Sequence, residues 1–421
     1  MFTSFSTALS ALAANSTAID VVGNNLANLN TPGFKTSNVV FRDLVTQSLG
    51  AGLGETQVGF GTGQPLTFRQ FTQGAIQTTS GLLDAAIQGD GFFVIKADNN
   101  ELLYTRAGNF QADSAGNLLS DTGERVQGWT SFDSSGKVDT NGAIGNIIVP
   151  VGTLKAPTTT TKFTVDLNLN SSAAADATSD FSTPITVYDS LGTSHVLTLN
   201  FEKTGANQWS YQVSIPGDDV NGGTAGTPFD VSGASGTLTF DSSGQLTDPA
   251  NGSPITFQVP GLTDGAADMN LTWNPYTDAG TPRITQFGQP SAPSASSQNG
   301  SSAAQLVHVG LATGGQILAQ YSNGAQVMVG QVALASIPNP DTLIAAGNNN
   351  FLLSSRTATP SIGVPETGGR GSIVGGSIES STVDIATEFT NLIVFQRGYE
   401  ANSRVVTTAD TLSQDTINLI H

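Results

Sequence analysis

The sequence contains no cysteine, so neither a disulfide framework nor thiolate chemistry is open to it. Charge is scarce as well: 11% of residues are charged, against about 25% in ordinary soluble domains. What charge there is leans one way. With 15 basic and 33 acidic residues the net charge is −18, which argues against nucleic acid and against an anionic membrane surface as partners. No stretch reaches the ~18 consecutive apolar residues of a membrane span, so no membrane insertion is expected. A basic region at the N-terminus is also lacking, because Asp20 is the sole charge before Lys35. A cleaved secretory signal is therefore not expected either.

The 421 residues are too many for one ordinary core and suggest about three domains. Ser, Thr, Asn, Gln and 48 glycines carry the polarity that charged residues do not, a composition common in exported β-rich proteins. Signals for catalysis are nearly absent. His195, His308 and His421 are isolated in sequence, and His308 alternates with Val307 and Val309 as a structural strand residue would. No nucleophile elbow, HExxH or P-loop occurs. GFGTG (59–63) lacks both the GxGxxG spacing and a following helix, and reads as a loop. Asp218 and Asp219 fall in a Gly-rich loop with no apolar surroundings to shift them. No enzyme activity, metal or cofactor is expected.

A short repeat occurs four times: DSAGN (113–117), DSSGK (133–137), DSLGT (189–193) and DSSGQ (241–245). Calcium loops also combine Asp with Gly, but they need several oxygen ligands at alternate positions, and each repeat has one carboxylate. Tight β-turns, with Asp capping and Gly in the left-handed region, fit better.

Both ends of the chain have helical spacing. Phe5, Leu9, Leu12, Ile19 and Leu26 follow a heptad register whose gaps are filled by Ser16 and Gly23. Asn24, Asn25 and Asn28 weaken this helix, and Thr31-Pro32-Gly33 ends it. At the other end Ile385, Leu392, Tyr399, Val406 and Ile420 recur by sevens, with Phe389, Phe395, Ala409 and Ile417 supplying a second seam. Ordinary core helices would show the same pattern. Here, however, the body between them offers no matching helices. It reads as strands: GFFVIK (91–96) and LLYTR (102–106) as a hairpin, then FTVDLNL, VLTLNF, WSYQVSI, TLTF, ITFQV and MNLTW between 163 and 273, and LVHVGL, QILAQY and QVMVGQVAL from 306 to 334. Polar low-complexity stretches at 158–162 with 171–180, and at 290–305, bracket the middle strands as the limits of an inserted domain.

The run NNLANLNTPGFK (24–35) resembles the rod signature of the bacterial flagellar axial proteins, and Asn28, Asn30, Thr31, Pro32, Gly33 and Phe34 carry the resemblance. LLDAAIQGDGFFVI with YTRAGNFQADSAGNLLSDTGERVQGW (82–129) and NLIVFQRGYEANSRVVTTADTL (391–412) are similar to further blocks of that rod and hook family. The middle matches more loosely. Its length and TPITVYDSLGTSHVLTLNF resemble hook rather than rod members.

The resemblance implies a multidomain fold in which α-helical, coiled-coil-like termini pair and mostly-β outer domains are inserted between them. The expected divisions are an N-terminal helix (1–28), a linker or hinge (29–70), an inner β-domain (71–157 with 291–362), an inserted outer β-domain (158–290), a return linker (363–381) and a C-terminal helix (382–421). It further implies a self-assembling subunit of a curved tube around an export channel, passed outward by the flagellar export apparatus. Distal rod, hook cap and hook–filament junction proteins would be its neighbours. Burying Leu9, Leu12, Ile19 and Leu26 between subunits would contribute ~1.5–3 kcal/mol each to assembly. Two alternatives stay open on sequence: a distal rod subunit of the same family, and a β-rich exported surface adhesin.

Overall fold

The computed structural model describes residues 2–44, 46–48, 57–133, 136–176 and 180–418. It divides into two compact units. One comprises Met1–Val151, His308–Gln320 and Gln326–His421, and the other Gly152–Val307 with Tyr321–Ala325.

The first unit opens with helix α1 (Phe2–Ala27) and closes with helix α2 (Ile385–Asn418), and the two pack against each other. Their polarity is largely turned inward onto their own backbones. Asn15 Nδ2 donates to the Ala11 carbonyl, Thr17 Oγ1 to Ala13, Thr390 Oγ1 to Ala386, Asn402 Nδ2 to Gly398 and Ser413 Oγ to Ala409, each four residues back. Side chains satisfied in this way tolerate a neighbouring helix surface better than charged ones would. Within the stretch expected to be a linker, Ser37–Val40 pairs antiparallel with Leu66–Arg69, and Thr46–Ser48 with Gln57–Gly59.

The chain leaves the helices and returns to them along a shared ladder. Ile76–Thr78 pairs with Ser377–Glu379, and Ala85–Gln88 with Ser372–Gly375. Beyond this ladder the expected hairpin forms between Phe92–Lys96 and Leu102–Thr105. Its first strand is apolar on consecutive residues because both faces are buried. Phe93 and Ile95 enter a core with Ile87, Leu118, Val126, Ile147 and Leu334, while Phe92 and Val94 enter a second with Tyr104, Ala335 and Phe351.

The second unit is a β-sandwich around one core. One sheet runs Phe181–Tyr188, Ser194–Gly205, Gln208–Pro216, Pro228–Phe240, Leu246–Asp248. The other is built from Lys162–Asn170, Ile255–Val259, Met269–Trp273, Ile284–Phe287 and Ala292–Gln298. Strict alternation places Phe163, Val165, Leu167 and Leu169 inside, beside Trp273 of the same sheet and opposite Leu197, Leu199, Trp209 and Val213. Ala292–Gln298 lies in the Ser-rich stretch read from sequence as a boundary. It pairs antiparallel with Lys162–Asn170, and its side chains are exposed or half-buried, so no hydrophobic period marks it. Backbone hydrogen bonds hold this strand, with Ser294 Oγ donating to the Asp166 carbonyl and Thr160 Oγ1 to Gln298 Oε1.

The four Asp-x-x-Gly repeats share one turn. Asp113, Asp189 and Asp241 each accept from the backbone N–H two and four residues on, and Asp133 accepts from Lys137. The glycines at 116, 136, 192 and 244 have φ of 85, 78, 87 and 79°.

Candidate assembly site

The joint between the terminal helices and the rest of the first unit is built from the signature residues. α1 unwinds as Asn28 N–H turns to the Asn25 carbonyl at 3.0 Å and Leu29 N–H to Leu26. Thr31 Oγ1 donates to Asn28 Oδ1 at 3.1 Å, and Asn349 Nδ2 donates to the Pro32 carbonyl at 2.9 Å. Gly33 takes φ +67°, and a Cβ there would lie 2.6–2.8 Å from backbone atoms of Arg106 and Ala107. Its N–H donates to the Glu379 carbonyl at 2.7 Å, so the turn is stitched to the returning strand. Phe34 is buried beneath the Arg69 guanidinium, whose carbon is 5.8 Å from the ring centre. Asn30 is exposed.

Two polar centres that sequence reasoning did not single out hold this joint. Lys35 is fully buried, and its Nζ donates to Glu379 Oε1 at 2.6 Å and to the Thr72 carbonyl at 2.7 Å. Gly74 N–H also donates to Glu379 Oε1, and Arg106 Nη1 lies 3.5 Å from Oε2. Burial pulls the Lys35 and Arg106 pKa values below their ordinary ranges, with Glu379 opposing the shift in both. The second centre is Asn25. Its amide exchanges two hydrogen bonds with the Ser37 backbone, at 2.9 and 3.0 Å, as a paired strand would. The same Nδ2 donates to Glu388 Oε1 at 3.1 Å. Glu388 is buried, burial raises its pKa, and its Oε2 has no hydrogen-bond partner among the described residues. Asp384 caps α2 through Thr387 N–H at 2.7 Å, and that bond holds its carboxyl below the usual range. A sequence signal did exist for Lys35, as the first basic residue of the chain and the end of the signature run.

The helices pack by small residues. α1 buries Ala8, Ala14, Ala18, Val22 and Asn25. On α2, Gly398 allows close approach, since a Cβ there would sit 2.9 Å from Asn15 Oδ1. Of the sequence-derived seam, Leu12, Ile19, Leu26, Leu392 and Val406 are half-buried. Phe5, Leu9, Ile385, Phe389, Tyr399 and Ile417 are exposed, with Leu9 at 55% and Ile417 at 59%. Ile420 lies outside the described residues. Ile393, Val394, Val405 and Leu412 are exposed too, although the heptad register did not pick them out. At 100° per residue, Ile385, Phe389 and Ile393 fall to one side of the Glu388–Phe395–Asn402–Ala409 face of α2, and Val394, Val405 and Leu412 to the other. The helix pair therefore presents its larger apolar side chains outward. No helix among the described residues is long and apolar enough to cross a membrane.

Four families known by sequence match along the chain: flagella basal body rod protein over 5–35, the flagellar hook protein FlgE/F/G D1 domain over 86–168, the flagellar basal body protein FlaE D2 domain over 158–301, and the flagellar basal body rod FlgEFG protein C-terminal region over 374–419. Among individual relatives, "Flagellar hook protein FlgE" of Borreliella burgdorferi is 34% identical, with 100% of both chains covered. Its counterparts in Treponema pallidum (100% of both chains covered) and Escherichia coli (99% of both) are 33% and 30% identical. The crystal structure of Helicobacter pylori flagellar hook protein FlgE2 shares the fold, with a TM-score of 0.50 at 14% identity over 66% of this chain and 94% of that one. By its full-length similarity to these relatives, the chain belongs to the flagellar hook protein family.

Proposed function

We propose that the chain is the structural subunit of the flagellar hook, a curved tube that carries torque from rod to filament and encloses an export channel. The observation that carries this reading is the outward display of Phe5, Leu9, Ile385, Phe389, Ile393, Val394, Val405 and Leu412 on two helices already paired through small residues. An apolar helix surface of this extent is stable in water only once other helices cover it. Copies of the same helix pair supply that cover, so the terminal helices form the inner tube and the chain polymerises on itself. A distal rod protein below, and hook cap and hook–filament junction proteins above, are the expected neighbours. Passage outward through the flagellar export apparatus is the route that membership of the hook family suggests. Full-length similarity to hook proteins favours this reading over a distal rod subunit or an adhesin.

Phe389→Asp tests it, because residue 389 is exposed in the single chain and would be buried in the polymer. The variant is expected to fold like the parent by circular dichroism and to form no tubes by electron microscopy, with secretion measured separately. Tubes of normal length would place the assembly surface elsewhere.

A further inference from the structure

At one end of the second unit, three loops meet around that unit's single histidine. His195 is buried near the start of Ser194–Gly205. Its Nδ1 lies 3.0 Å from Asp219 Oδ2, its Nε2 lies 3.2 Å from Asp189 Oδ2, and Asp264 Oδ2 stands 4.0 Å from Nε2. Asp189 belongs to the third Asp-x-x-Gly turn. One of its oxygens caps Leu191 and Thr193, and the carboxyl also faces the histidine and Asp264. Asp219 ends the short turn Gly217–Asp219, and Asp264 lies on the loop between Ile255–Val259 and Met269–Trp273, in the opposite sheet. The same loops are tied by Thr263 N–H to the Asp219 carbonyl, Asn221 N–H to Gly261, and Ala267 N–H to Ser190 Oγ.

Carboxylate oxygens only accept hydrogen bonds, and a neutral imidazole has one N–H to give. In either neutral tautomer one ring nitrogen would turn a lone pair toward a carboxylate about 3 Å away. The imidazolium satisfies both contacts and places one positive charge among three negative ones. We propose that His195 is a proton-operated pin: its charged form clamps the Asp189, Asp219 and Asp264 loops together, and loss of the proton loosens this end of the sandwich. Burial works against the charged form, but the bonds to Asp219 and Asp189 outweigh it and hold the pKa above its ordinary value. The clamp is therefore complete below about pH 6.5, where histidine is protonated even in the opened state, and it is lost as pH rises through the higher value of the closed state. A chain built this way has a second unit whose local stiffness follows the pH of the medium.

Two readouts on the full-length chain test the pin. In histidine-labelled protein, the His195 resonance, identified by its loss in His195→Gln, is expected to titrate above 6.5 and to move down in Asp219→Asn. Hydrogen exchange over 189–193, 217–222 and 260–267 is expected to show protection that falls on going from pH 6 to pH 9. The fall should be tenfold for each unit by which the measured pKa exceeds 6.5. In His195→Gln that dependence is expected to vanish. A His195 pKa at or below 6.5, or the same pH-dependent protection in His195→Gln, overturns the proposal. Should His195→Gln not fold, the wild-type titration and the Asp219→Asn shift decide it alone.

Discussion

Lys35 and Glu379, 344 positions apart in the chain, meet as an ion pair with both side chains fully buried and 2.6 Å between Nζ and Oε1. One belongs to the turn that leaves α1 and the other to the strand that leads back toward α2. The contact closes the first unit at the point where both helices join it. A buried charge that loses its partner keeps its full desolvation penalty. Lys35→Met is therefore expected to destabilise the first unit by about 3–5 kcal/mol. Glu379→Gln should cost at least as much, because it strands Arg106 as well. Denaturant unfolding of each single variant and of the double variant measures this. A double variant less destabilised than the sum of the two singles is the expected pattern, and strict additivity would mean that the two residues do not act as a pair.

Gly33 separates two reasons for a glycine. Its φ of +67° alone would tolerate asparagine at modest cost, but the space beside it is filled by the Arg106 and Ala107 backbone. Gly33→Asn and Gly33→Ala are therefore expected to be about equally damaging, each well beyond the ~1 kcal/mol of a positive-φ penalty alone. Thermal unfolding of the two variants checks this. A clear advantage for asparagine would show that conformation, not space, selects the glycine.

How legible the molecule was in its sequence depends on what each residue is for. The terminal helices, the Phe92–Lys96 hairpin and most sandwich strands were readable because period and burial coincide there, as in Lys162–Asn170. The packing between the helices was not. Ala14, Ala18 and Gly398 are small because a neighbouring helix lies close, and a search for large apolar residues passes over them. The same search found Phe5, Leu9 and Phe389 on outward-facing surfaces, where burial in the single chain does not account for their size and the proposed assembly would. Asn25, Lys35, Glu379 and Glu388 were hidden for another reason: their partners are hundreds of residues away, and one sequence does not pair them.

Glu388 gives a pH effect of its own. Burial raises its pKa, with Asp384 adding to the rise and Asn25 opposing it, so its ionised form is disfavoured in the folded joint. Stability from this site is full below the ordinary glutamate range and declines as pH rises through the raised value. Glu388→Gln removes the charge and keeps an oxygen for Asn25 Nδ2. It is expected to slow hydrogen exchange at the start of α2 at pH 8 relative to the parent, with little difference at pH 4. An equal effect at both pH values would point to packing and not to ionisation.

The last expectation concerns the second unit. It has its own core, from Phe163 to Ile284, and none of the first unit's two cores draws on it. Assembly is proposed to reside in the terminal helices, which lie wholly in the first unit. Replacing residues 152–307 with a short Gly/Ser linker between Val151 and His308 should therefore leave a chain that is exported and polymerises. The cut must include Ala292–Gln298, since that strand pairs with Lys162–Asn170 and would otherwise be left as an unpaired edge open to aggregation. What should change is the shape of the tube. If the second unit lies toward the outside, as the family resemblance implies, its contacts act at the largest radius, where a small difference between neighbouring rows produces the most bend. Electron microscopy is expected to show straight or weakly curved tubes, with impaired swimming. Normally curved tubes would assign curvature to the first unit, and a chain that is neither folded nor exported would show that the two units fold as one.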